Sequence, residues 1–194
     1  TPKQILLAEK LNLLIPEYAH LPMILNPDRT KLSKRKNPVS MTTDFRDQGY
    51  LPEALINFMA LLGWSPSSNQ EIWSLKDLIA EFSLENVQKS PAVFDIDKLN
   101  WLNGYYIRQL PIGELCRRAL PIIQPLGFDH DKDKLIMALS LVQERIKKLT
   151  EIPEQIDFFY REPVNFEAIL IPEKSTKQKT KLALEQVCKY LSEE

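Results

Sequence analysis

The chain has 194 residues, of which 44% are hydrophobic and 26% charged, enough for a sizeable core in one or two compact domains. Its 25 basic and 26 acidic side chains leave a net charge of −1, so no global basic field draws it to nucleic acid and any RNA contact must come from local clusters. No apolar run reaches the length of a membrane span and no secretory leader is visible; Cys116 and Cys188 lack metal or redox spacing, the pattern of reduced thiols in a cytosolic-type protein.

Thr1-Pro2-Lys3-Gln4 opens the first predicted helix, with Thr as cap and Pro at the first helical position. The run Leu21–Leu25 is short, apolar and flanked by proline, as a strand is. Thr42 or Thr43 caps a short helix through Phe45 that ends at Gly49, and Pro52 starts another with Ala54, Leu55, Phe58, Leu61 and Leu62 on its buried side and Gly63 as its stop. Ser74-Leu75-Lys76-Asp77 is a capping pattern ahead of Leu78, Ile79 and Phe82. Asp95 or Asp97 caps a helix carrying Leu99, Leu102, Tyr106 and Ile107, which Pro111 ends.

From Ile112 the text is helical again, with interruptions expected at Pro121 and Pro125. Leu135, Leu139, Val142, Ile146 and Leu149 alternate four and three apart and predict one long amphipathic helix. Pro153 starts a further helix with Ile156, Phe159 and Tyr160, and Ser175-Thr176 caps the last, through Leu182, Val187 and Leu191. Strand-like alternation is almost absent, so the expected fold is mainly α.

One segment carries chemistry. Lys31-Leu32-Ser33-Lys34-Arg35, with Lys36 behind it, sets closely spaced cations and a hydroxyl on a loop bounded by Asn26-Pro27-Asp28-Arg29 and Asn37-Pro38. Lys is a mobile point charge and Arg a planar fork, a combination suited to polyphosphate. Read alone, such a run is more often a solvated loop.

The context reverses that reading. The loop, together with Gly49-Tyr50-Leu51-Pro52-Glu53-Ala54-Leu55, Leu61-Leu62-Gly63-Trp64-Ser65, Lys89-Ser90-Pro91-Ala92-Val93-Phe94-Asp95, Trp101-Leu102-Asn103-Gly104 and Ala19-His20-Leu21-Pro22-Met23-Ile24-Leu25, resembles glutamyl-tRNA synthetase of the bacterial or organellar type. The match is almost continuous from Thr1 to about Arg108 and looser beyond, where Asp157-Phe158-Phe159-Tyr160 fits the family's anticodon-binding part. Lys31 to Arg35 stands where class I synthetases carry their second ATP motif, usually called KMSKS. Many relatives have a Gly after the basic run; here Asn37-Pro38 stiffens the exit.

The resemblance implies a fragment of a glutamate–tRNA ligase, since the paired histidines of the family's first ATP motif have no counterpart: His20 and His130 lie far apart and are read as structural. Three regions follow: 1–30, the tail of the nucleotide-binding domain with a strand remnant; 31–110, the loop and the tRNA stem-contact region; and 111–194, the first part of an α-helical anticodon-binding domain. Lys31, Ser33 and Lys34 are the implied catalytic residues, with Lys34 contacting the phosphates as pyrophosphate leaves, and Lys31, Leu32, Ser33, Lys34 and Arg35 the ATP-binding set. Lys98, Asn100, Asn103 and Arg108 are the implied tRNA contacts, while Trp101 and Leu102 are read as core. Arg117, Arg118, Arg145, Lys147, Lys148 and Lys174 to Lys181 are weaker candidates for the anticodon arm.

Implied partners are tRNA-Glu, ATP with Mg2+, and L-glutamate in the intact enzyme; no bound metal, no membrane, a monomeric state and a cytoplasmic location are expected. The 194 residues are expected to be silent by themselves in pyrophosphate exchange. A stand-alone helical tRNA-binding module without ATP chemistry is the alternative, but it has no use for the Lys31–Arg35 loop. A tRNA-modifying relative would lack the helical carboxy-terminal part, and a glutaminyl enzyme would replace it with a β-barrel.

Overall fold

The computed structural model describes residues 1–32, 42–66, 68–162, 171–172 and 175–192. Among them the chain is mainly helical, with a single two-stranded sheet. Helix α1 (Pro2–Lys10) starts at Pro2 as expected, but Thr1 makes no side-chain cap. Its hydroxyl bonds to His20 Nε2 instead, at 2.8 Å, which gives that histidine a structural partner.

Strand β1 shrinks to Ile24–Leu25 and pairs in parallel with β2 (Ala92–Val93), Ile24 opposite Ala92 and Leu25 opposite Val93. Helices α2 (Thr42–Asp47), α3 (Pro52–Leu61), α4 (Leu75–Glu81) and α5 (Ile96–Gln109) build the next layer. Ser74 Oγ accepts the Asp77 N–H and donates to its carboxylate at 2.6 Å; Asp95 caps α5 by accepting from the N–H groups of Asp97 and Lys98. Tyr50, Phe58, Leu99 and Leu102 form one core, with Phe45, Phe94 and Tyr106 packed against it. Trp64, Trp73 and Leu78 form a second, the two indoles edge-on at 5.5 Å.

Asn57 stitches these cores together. Fully buried on α3, it accepts from Trp73 N–H at 2.9 Å and donates to the Glu71 carbonyl at 3.0 Å. The Tyr106 hydroxyl lies 2.9 Å from Asn57 Oδ1 and 2.7 Å from the Trp73 carbonyl, so a buried polar network rather than hydrophobic contact alone sets the register of α3 against α5.

Helix α6 (Ile112–Ile123) departs from expectation, because it passes through Pro121 unbroken. Pro121 lies in the last turn, so the one N–H it lacks breaks the ladder only where the helix is about to end. A short 3-10 turn over Gln124–Leu126 follows, closed by Gly127 at φ +75°. Helix α7 (Lys132–Val142) is shorter than the sequence pattern, although Leu135, Leu139, Val142, Ile146 and Leu149 are all buried. The periodicity reports a continuous buried seam, and the backbone leaves the helix after Val142 while still filling it. The Gln143 side-chain amide donates to the carbonyls of Ile107 and Leu110, satisfying the C-terminal end of α5.

Packing divides the chain between Glu154 and Gln155, and α8 (Ile152–Tyr160) runs across that division. The smaller unit ends in α9 (Lys177–Ser192), where the Thr176 hydroxyl accepts from Lys179 N–H. Leu182, Val187 and Leu191 on α9 are exposed.

Candidate ATP loop and RNA-facing surface

The approach to the basic loop is a locked turn. Asp28 Oδ1 accepts from the Thr30 N–H at 2.9 Å and the Thr30 hydroxyl at 2.7 Å, while Asn26 Nδ2 donates to the same hydroxyl at 3.0 Å. Asn26 N–H closes onto the Thr30 carbonyl, and Arg29 takes up φ +64° to make the reversal. Leu32 N–H then donates to the Ile24 carbonyl at 3.0 Å, fixing Lys31 opposite Leu25 at the edge of the sheet with its side chain exposed and Leu32 half-buried. The short Pro-flanked strand thus serves as a rigid post for Lys31. Ser33, Lys34 and Arg35 lie outside the described residues, as does Lys174.

The four expected RNA contacts on α5 separate. Lys98 is half-exposed and ion-paired to Glu71 at 2.6 Å. Asn100 is half-buried and accepts the Tyr50 hydroxyl at 2.6 Å; burial first, and then the Glu151 carboxylate, raises that phenol above its ordinary value. Arg108 is half-buried, with its Nη1 3.2 Å from where a Cβ on Gly104 would stand.

Asn103 is a correction: it has no exposed surface and cannot touch RNA directly. Its Oδ1 accepts the Leu51 N–H at 2.7 Å, and its Nδ2 donates to the carbonyls of Lys147 at 2.6 Å and Gly49 at 3.3 Å. A helix position facing backbone groups of two other segments has to be polar, and an amide supplies the needed acceptor and donors together. Trp101 is corrected in the opposite sense, being 44% exposed where core was expected, while Leu102 is fully buried as read.

Gly49 completes the junction around Asn103. At φ +85° its Cα lies against the next segment so closely that a Cβ would stand 2.6 Å from Thr150 N and 2.7 Å from Leu149 N. Its carbonyl accepts from Leu149 N–H at 3.0 Å, and the Thr150 hydroxyl donates to the Gln48 carbonyl at 2.9 Å. Sequence alone flagged Gly49 as a helix stop and as part of the family resemblance; the close approach has no local signal.

Arg117 and Arg118 are committed to acids. Glu114 receives both, Arg117 at 2.7 Å and Arg118 at 2.6 Å, and Arg118 also grips Glu53 through two parallel bonds of 2.9 and 2.7 Å. The Arg117 hydrogen bond, then that of Arg118, holds the Glu114 carboxyl down at about 2; the Arg118 hydrogen bond lowers Glu53 and raises Arg118 in turn. Arg118 is therefore a tie between α6 and α3, not a free cation for the anticodon arm. Among the described residues no group of three or more His, Cys, Asp or Glu is placed to hold a metal ion, and no helix is long and apolar enough to cross a membrane.

Comparison with known proteins agrees with this anatomy. Residues 1–101 match the family described as tRNA synthetases class I (E and Q), catalytic domain, and residues 114–194 match an anticodon binding domain. The glutamate–tRNA ligase of Carboxydothermus hydrogenoformans is 45% identical over 173 residues, covering 86% of this chain and 36% of the relative. That of Dehalococcoides mccartyi is 42% identical over 194 residues, covering 95% and 39%. The crystal structure of glutamate-tRNA synthetase from Elizabethkingia anophelis superposes with a TM-score of 0.71 at 29% identity, over 92% of this chain and 38% of that one. The chain thus spans somewhat over a third of the length of the relatives it matches. The small parallel sheet, the locked turn leading to a basic loop, the helical layer behind it and the two family matches in that order have one account: the chain belongs to the class I tRNA synthetases of the glutamate and glutamine family, carrying part of the catalytic domain and an anticodon-binding domain.

Proposed function

We propose that the chain is part of a glutamate–tRNA ligase, which activates glutamate with ATP and passes the activated amino acid to tRNA-Glu. The supporting observation is that relatives bearing that name are 42–45% identical across most of this chain, through both the catalytic and the anticodon matches. In the first step the glutamate carboxylate attacks the ATP α-phosphate, a bond forms from carboxylate oxygen to phosphorus, and pyrophosphate leaves. Negative charge gathers on the α-phosphate and the leaving group, so cations fixed there lower the barrier. Lys34 and Lys31 are assigned that role, and Ser33 with neighbouring backbone N–H groups holds the loop around the nucleotide; Arg35 adds charge. The locked Asn26–Thr30 turn supports the assignment, because it fixes Lys31, the first cation of the run, at the sheet edge.

Lys98, Asn100 and Arg108 are proposed as tRNA contacts of the region 31–110, with 1–30 as the tail of the nucleotide-binding domain and 111–194 as the anticodon-binding part. Mg2+ accompanies ATP, and no residue of this chain is assigned to it. The enzyme is proposed to act in the cytoplasm as a monomer. Charging assays on the protein at its natural full length test the reading: tRNA-Glu should be acylated with glutamate in an ATP-dependent reaction. Charging with glutamine alone, or ATP-independent RNA binding with no acylation, would overturn it.

A further inference from the structure

Helix α5 carries a glycine in mid-helix, where it is less favourable than alanine, and Gly104 has no left-handed φ to explain it. What the missing side chain provides is room. A Cβ at Gly104 would stand 3.2 Å from Arg108 Nη1 and 3.5 Å from Lys147 Cγ, so side chains from two separate elements converge on one spot. The Lys147 backbone is held from both sides, its N–H donating to Glu151 Oε2 at 2.8 Å and its carbonyl accepting Asn103 Nδ2 at 2.6 Å. The fold thus fixes where the Lys147 side chain begins and leaves its exposed end free.

The charges there are unbalanced. Lys98, Arg117, Arg118, Arg161 and Lys181 all reach a carboxylate within 4.0 Å, but neither Arg108 nor Lys147 does so among the described residues. Lys148 adds a third cation beside them, its Nζ 6.0 Å above the Tyr50 ring. Glu151 also stands at this junction, and one of its oxygens is taken by the Lys147 N–H. Bringing like charges together is unfavourable unless an anion joins them, and a fork beside a flexible ammonium suits the two free oxygens of a phosphodiester.

We propose that Arg108 and Lys147 clamp one backbone phosphate of a structured RNA, with Gly104 and Asn103 as positioning residues that bring the two cations together. The clamp rests on the tRNA-binding part of the function proposed above, and it fixes the register of the RNA on α5 without reading a base. Asn103, expected as an RNA contact, acts through Lys147 instead.

The test is binding of a tRNA-Glu transcript to the full-length protein over a range of salt, with Arg108→Gln, Lys147→Met, the double variant, Gly104→Ala, and Lys76→Met as a control on α4. Loss of one phosphate contact should lower the slope of log affinity against log salt by about 0.7–0.9. Each single variant should lose part of that slope, the double should lose about 0.7–0.9 in total and no more because both serve one phosphate, and Lys76→Met should lose none. Gly104→Ala should keep or raise the melting temperature while still flattening the slope, which a merely structural glycine would not do. Unchanged slopes with tRNA binding intact would overturn the clamp and leave the tRNA reading standing; no binding by the unsubstituted protein at any salt would overturn both. A further arm adds inorganic pyrophosphate at matched ionic strength. Displacement of tRNA that Arg108→Gln abolishes would assign the site to a small free anion and overturn the RNA assignment.

Discussion

Replacing Asn103 by alanine separates structural from RNA-contacting roles. The substitution removes the acceptor for the buried Leu51 N–H and the donor for the Lys147 carbonyl, whereas the Gly49 carbonyl keeps its bond from Leu149 N–H. A buried polar group left unsatisfied costs about 1–3 kcal/mol, and the Lys147 carbonyl is only partly buried, so the expected loss is about 3 kcal/mol. At 2–4 °C per kcal/mol for a chain of this size, the melting temperature should fall by roughly 6–12 °C, read by circular dichroism or calorimetry on the 194-residue chain. Asn100→Ala is the control: it removes one hydrogen bond, from Tyr50 at a half-buried site, and should cost about 1 kcal/mol or less. A loss below about 1 kcal/mol for Asn103→Ala, or one no larger than that of the control, would refute the junction described around Gly49, Leu51 and Lys147.

Two further outcomes follow from the same geometry. Gly49→Ala places a Cβ against the backbone nitrogens of Leu149 and Thr150 at a φ of +85°, which neither partner can relieve by a side-chain rotation. Strain and overpacking together should cost about 3–5 kcal/mol, and denaturant unfolding within 1 kcal/mol of the parent would count against that close approach. Glu53 and Glu114 both have folded-state values below those of a free glutamate, so their contribution is fully present above the unfolded value of 4.5 and is lost as the pH falls, toward about 2 for Glu114. Stability measured from neutral pH down to pH 3 should therefore decline below about pH 4.5. Glu114→Gln should flatten that decline, and an unchanged acid slope in this variant would contradict the ion pairs with Arg117 and Arg118.

Local chemistry made much of the architecture legible. Ser74 and Asp95 announce their helices because a cap is a contact within three residues, and Pro52 marks the first helical position of α3 for the same reason. The spacing from Leu135 to Leu149 correctly gave the buried positions and wrongly gave their conformation, since a four-three alternation records a face, not a hydrogen-bond ladder. Asn57 and Asn103 were invisible as structural polar hubs. Their partners are 14 to 54 residues away in sequence, and an asparagine beside aromatic and cationic neighbours on a helix resembles a surface contact as much as a buried tie. Gly104 was seen only as part of a family resemblance; its meaning depends on Lys147 arriving from another element. In the basic loop, sequence located Lys31 and the turn chemistry before it, and the structure shows the turn as a closed hydrogen-bonded unit.

The most direct test of the central claim is steady-state charging by the full-length protein carrying Lys34→Ala, with tRNA affinity measured in parallel. If the chain supplies the ATP loop of a glutamate–tRNA ligase, kcat for glutamate activation should fall by roughly 10²–10³ while tRNA affinity stays within about twofold. Equal losses in rate and affinity would make Lys34 an RNA-binding residue, and no loss in rate would contradict the assignment of the loop to ATP.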